Sequence, residues 1–227
     1  MTITLGKSAK DSKYLKRIKD AIEGDDTHPR NNGVLMQAHH VISGEGMRRS
    51  GLGKKIEKFG YDINLLPNLV FIPCTLQGAC YLGVQPHRGN HTAKVDQDDY
   101  DDDSEPKSYH DIVSSKIVAL QLPMDKACSG RDDARIQEIQ EKLNSLSKDL
   151  TNMIQRKPTE APLTNIARHF SPKNPIGCGG VDSVQSHKGL QHCAVERQHH
   201  GNRQGAAQRK ENIKFRMEQP YKLKPGR

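Results

Sequence analysis

The amino-acid sequence predicts an α+β fold in which several helices surround one small hairpin, and three observations carry that prediction. Two short runs of β-forming residues, Val34–His40 and Asn68–Pro73, read as strands. Over Ser108–Leu120, Tyr109, Ile112, Val113, Ile117 and Leu120 fall on one side of a helix. In Arg131–Lys157, Ile136, Ile139, Leu143, Leu146, Leu150 and Met153 alternate at three and four residues. That seam is about two and a half heptads, too short to stand alone as a coiled coil. It predicts a structural helix packed on the domain or on the helix before it.

The remaining elements follow in chain order. Ser8–Ile22 reads as a short helix with Tyr14, Leu15, Ile18, Ala21 and Ile22 on one face, capped by Asp11 or Ser12 and ended by Gly24. A polar loop, Asp25–Asn32, leads into the first strand. Ser43-Gly44-Glu45-Gly46 reads as a turn, and Gly53–Phe59 as one or two helical turns closed by Gly60. After the second strand, Cys74–Gln85 reads as a loop. The acidic run Asp96, Asp98, Asp99, Asp101, Asp102, Asp103 and Glu105 reads as a solvated loop; no glycine stands at the sixth position that a calcium loop requires. Pro158, Pro162, Pro172 and Pro175 mark a linker-like passage. The expected organisation is an N-terminal helical segment (1–32), a core with a helical extension (33–157), and a basic, irregular C-terminal segment (158–227).

Composition bounds the partners. With 33% hydrophobic residues, 4% aromatic and a mean hydropathy of -0.80, the chain has a thin core for 227 residues. The formal charge is +8, and its distribution says more than its sum. Residues 168–227 hold 12 Lys+Arg against 4 Asp+Glu, whereas the first 167 residues hold 23 of each. All the excess charge lies in the last quarter, which favours a polyanionic partner there. Five irregularly spaced cysteines (Cys74, Cys80, Cys128, Cys178 and Cys193) make no disulfide framework and point to a reducing compartment or a metal role. Nothing reads as a signal peptide or membrane span, so a soluble protein is expected.

Chemistry concentrates in an ordered set. Ala38-His39-His40 ends the first strand, where neighbouring side chains point to opposite faces. One imidazole can then serve a metal and the other a different task. Asn68 opens the second strand, and His87-Arg88-Gly89-Asn90-His91 lies beyond it. Histidines at i and i+4 share one face of a helix that starts near Pro86 and can grip one ion.

This order resembles the HNH/endonuclease VII nuclease superfamily, and within it the branch named for its Ala-His-His motif. The likeness covers about residues 33–120. The family's tyrosine stands three residues after its last histidine; that position is Lys94 here, and Tyr109-His110-Asp111-Ile112-Val113 reads as the match displaced by the acidic insertion. The resemblance implies a ββα-metal core, with His39, His87 and His91 as ligands of one divalent ion (zinc, nickel, magnesium or manganese). His40 is then the general base, since an imidazole pKa near 6.5 suits proton removal from water. Asn68 fixes the ring or the loop through its amide, with Asn64 as its rival, and Arg88 contacts phosphate. The implied activity is phosphodiester hydrolysis, and the implied setting an antibacterial effector toxin acting on DNA. Such a toxin is cytoplasmic in its producer, delivered by a secretion-system carrier and matched by a cognate immunity protein.

The basic tail supports two compatible readings. Cys178, His192, Cys193 and His199, with His187 and His200 nearby, are zinc-competent types, although their spacing matches no standard finger. Arg197, Arg203, Arg209 and Lys210 could follow phosphates along nucleic acid. Two rivals to the DNA endonuclease stay open: an RNA-directed nuclease, and a non-catalytic zinc-stabilised nucleic-acid-binding protein.

Overall fold

Two strands pair and the helices pack around their pairing. The computed structural model describes residues 4–87, 106–128, 133–164, 167–170, 212–216 and 221–227. Strand β1 (Met36–His40) runs antiparallel to β2 (Leu69–Pro73), with His39 opposite Val70 and His40 opposite Leu69. Every residue of β2 is buried, which suits its unbroken run Leu69-Val70-Phe71-Ile72. With seven α-helices among the described residues around this two-stranded sheet, the fold is α+β.

The N-terminal helix α1 (Tyr14–Asp20) is shorter than the predicted Ser8–Ile22, and buries Ile18. Asp11 Oδ1 accepts from the N–H groups of Lys13 and Tyr14, both at 2.9 Å, as its capping role predicts. Two helices occupy stretches that read as turn and loop. In α2 (Gly44–Ser50), Ser43 caps the start by accepting from Gly46 N, and Gly51 ends it at φ 70°. In α4 (Leu76–Leu82), Thr75 accepts from Gly78 N and Gly83 ends it at φ 65°. The N-cap hydroxyl and the left-handed glycine are the sequence signals that mark both. Between them, α3 (Gly53–Lys58) matches its predicted place.

Helix α5 (Pro106–Val118) lies across α2, and this docking builds the site. Contact is close at Gly46, where a Cβ would stand 2.4 Å from Val113 Cγ1. Helix α6 (Gln121–Cys128) precedes the long α7 (Asp133–Arg156). The predicted seam packs on the domain: Ile139, Leu143, Leu146 and Leu150 are buried. Gln140 Nε2 also donates to Phe59 O at 2.7 Å.

Described parts of the C-terminal segment, which form no helix or strand over 213–216 and 221–227, touch the core. Gly226 N donates to Leu69 O at 2.7 Å and Phe71 N to Arg227 O at 2.9 Å, so residues 226–227 line the free side of β2. Lys214 N and Phe215 N both donate to Asn32 O, and Leu223 is buried. No helix among the described residues is long and apolar enough to cross a membrane.

Candidate active site

The adjacent histidines of β1 separate onto opposite sides, as the two-residue period of a strand demands. His39 is buried, and its Nδ1 lies 3.1 Å from Nε2 of His87. His40 is half-buried, and its Nε2 lies 3.0 Å from Asn64 Oδ1. His87 follows α4 outside any assigned helix or strand, tied to the end of β2 by its own N–H, which donates to Pro73 O at 2.8 Å. The helix that the i, i+4 argument starts near Pro86 runs into residues 88–91, which lie outside the described residues. His91 lies outside the described residues, as does Arg88.

Tyr109, which the sequence reads as the displaced tyrosine, reaches this point from α5. Its hydroxyl donates to Val41 O at 2.6 Å and stands 3.2 Å from His39 Nε2. Because a carbonyl only accepts, the phenol proton goes to Val41, and the phenol oxygen accepts from His39 Nε2–H. His39 therefore turns a bare Nδ1 toward His87. Two nitrogens 3.1 Å apart fit neighbouring corners of a tetrahedral ion site, whose edge is about 3.4 Å for bonds of about 2.0–2.1 Å. An oriented Nε2–H on the far side of a ligating histidine is also what such sites use to fix the ring. The donor set thus fits a divalent ion, although no group of three His, Cys, Asp or Glu is gathered among the described residues.

The next two residues of α5 fasten the same connection. His110 Nδ1 lies within hydrogen-bond distance of the Ser43 hydroxyl, at 2.9 Å, and that hydroxyl oxygen also accepts from Gly46 N. Arg49 pairs with Asp111 at 2.7 Å. Burial, followed by the nearby Arg49 cation, lowers the His110 pKa below the usual imidazole range. Burial likewise lowers that of His40, and the Asn64 hydrogen bond offsets part of this. Both rings thus favour the neutral form near neutral pH.

Asn68 holds the loop and does not touch the ring. Its Oδ1 accepts from Ile42 N at 2.6 Å, and its Nδ2 donates to Ile42 O at 3.0 Å and Ile63 O at 2.9 Å. Ser147 of α7 donates to the same Oδ1 at 3.2 Å. The side chain on the His40 ring is Asn64, together with Tyr14, whose ring centre lies 4.5 Å away. Tyr14 read only as part of an apolar helix face; its ring contact depends on a helix 26 residues distant folding back. Cys178, His192, Cys193 and His199, and the tail cations Arg197, Arg203, Arg209 and Lys210, lie outside the described residues.

Comparison with curated proteins and with solved structures finds no match. One family model does match, over residues 22–154, which is more than half the chain and includes Ala38-His39-His40, Asn68, His87 and Tyr109. The chain therefore belongs to the AHH family, a nuclease family of the HNH/ENDO VII superfamily with conserved AHH.

Proposed function

We propose that this nuclease is a metal-dependent endonuclease that hydrolyses phosphodiester bonds of DNA at a ββα-metal core formed by β1, β2 and α5. The observation that supports it is the division of the histidine pair. His39 turns to His87 and Tyr109, while His40 turns to Asn64 on the other side. In this reading His39 and His87 hold one divalent ion, with His91 as the third ligand. The chemistry such an ion would supply when bound is an offset to negative charge on the phosphorane and on the leaving oxygen.

His40 takes the proton from the attacking water, and its burial favours the neutral ring that this step needs. Asn68 serves by holding the backbone at Ile42 and Ile63, and so the angle at which β1 delivers both histidines. DNA as substrate is supported by the +8 surplus of residues 168–227, which include Arg197, Arg203, Arg209 and Lys210. The role as an antibacterial effector toxin, with a secretion carrier and an immunity protein, rests on the family likeness.

Plasmid DNA and RNA incubated with the protein, with and without chelator, test this reading. Wild type nicks plasmid, chelator stops it, and His40→Ala stops it while metal content stays at the wild-type level. Wild-type cleavage by His40→Ala overturns the base assignment, and cleavage of RNA with plasmid left intact overturns the substrate.

A further inference from the structure

We infer that residues 9–17, a segment outside the family match, form a working part of the site: through Asn64 they set which nitrogen of His40 is bare and able to take a proton. The inference rests on His40 being the base and adds the positioning residues behind it.

The wholly buried Asn64 amide can sit only one way round. Its Nδ2 donates to Ala9 O at 2.9 Å and to Asp62 Oδ1 at 2.7 Å, two groups that only accept. Its Oδ1 accepts from Asp11 N at 2.9 Å. Turned over, the amide would set oxygen against two acceptors and nitrogen against a donor. The atom facing His40 Nε2 at 3.0 Å is therefore an oxygen, and Nε2 must donate to it. A neutral imidazole carries one N–H, so Nδ1 of His40 is the bare nitrogen.

Two of the three contacts that orient this amide come from the backbone of residues 9–11, and that backbone is itself braced. Lys7 bridges to the strand-like run before Asn64, with Lys7 N donating to Tyr61 O at 3.0 Å and Ile63 N to Lys7 O at 2.9 Å. The Arg17 guanidinium donates to the Asp11 carboxylate at 3.1–3.2 Å and to Asn64 O at 3.2 Å. Asp11 in turn caps Tyr14, whose ring covers one side of His40. Segment, amide and ring thus form one hydrogen-bonded chain. The family match begins at residue 22, so belonging to the family does not by itself supply this brace.

Long-range proton–nitrogen spectra of the full, nitrogen-15-labelled chain read the tautomer directly, with His40 assigned by the signals that His40→Gln removes. Wild type shows Nε2 protonated and Nδ1 bare. The double variant Asp11→Ala/Arg17→Ala leaves His40 and its oxygen partner in place but loosens the brace. It mixes the two tautomers and lowers kcat for plasmid nicking about tenfold or more, with KM within about threefold. Asn64→Ala does the same more severely. If Asn64→Ala fails to fold, the double variant carries the test.

A wild-type His40 protonated at Nδ1 overturns the inference. So does a folded double variant with unchanged His40 nitrogen signals and unchanged kcat. A wild type with the Nε2–H form that cuts neither plasmid nor RNA refutes the nuclease reading instead, because the tautomer is read without turnover.

Discussion

Replacing Asn68 with Ala tests the claim that one buried amide fixes the geometry of the site. The side chain is buried and makes four hydrogen bonds, to Ile42 N, Ile42 O, Ile63 O and Ser147 Oγ. Alanine removes the partner of three backbone groups on residues that are themselves wholly buried. Leaving such a group unsatisfied costs about 1–3 kcal/mol, and water entering the space of the lost amide recovers part of it. The expected destabilisation is therefore about 3–5 kcal/mol, against a total that is itself about 5–15 kcal/mol for a domain. For a chain of this size that lowers Tm by about 10 °C. Thermal unfolding followed by circular dichroism measures it, with Ser147→Ala as the control. Ser147→Ala removes only the 3.2 Å bond and costs about 1 kcal/mol or less. Well below its Tm, Asn68→Ala also nicks plasmid at least about tenfold more slowly, since His39 and His40 end the strand that the amide anchors. A variant that melts within about 2 °C of wild type would show that the backbone contact of Val41 N to Asn68 O holds the loop without the side chain.

Two further outcomes follow from other buried groups. Burial, reinforced by the nearby Arg227 cation, holds the His28 pKa down at about 4 against its ordinary 6.5. The unfolded chain then binds a proton that the folded chain refuses as pH falls between those values. Stability from this group is intact above pH 6.5 and declines by about 3 kcal/mol by pH 4. His28→Asn keeps a side-chain acceptor for Arg30 N–H and flattens that limb in urea unfolding measured across pH. An unflattened limb removes His28 as its cause. Tyr109→Phe takes away the acceptor of His39 Nε2–H and leaves the ring otherwise filled. Zinc affinity, read by competition with a chromophoric chelator, falls about 10- to 100-fold; an unchanged affinity would show that the phenol does not orient the ligand.

What was legible in the sequence is what local geometry dictates. The β-forming runs at Val34–His40 and Asn68–Pro73 pair, and the three-and-four spacing of Arg131–Lys157 becomes a helix with its seam inward. Helices α2 and α4 were less legible because each is only seven residues long, too short to show a period. Their caps at Ser43 and Thr75 and their terminal glycines mark them instead. The choice between Asn64 and Asn68 was not legible at all. Both are asparagines before or at the start of β2, and only the folded path of residues 61–68 aims one at the ring and the other at the loop.

By itself, the sequence determined that His39 and His40 part company, because a strand of L-residues turns successive side chains to opposite faces whatever packs against it. The tertiary structure alone decided what each of them meets. His39 finds Tyr109 from 70 residues downstream and His87 from 48 downstream, and His40 finds Asn64, whose amide is oriented by Ala9 and Asp11. Those meetings depend on how α1, α5 and the 84–87 segment close around the hairpin. Distances of that kind are set by packing and hydrogen-bond satisfaction across the whole core, which no local period encodes.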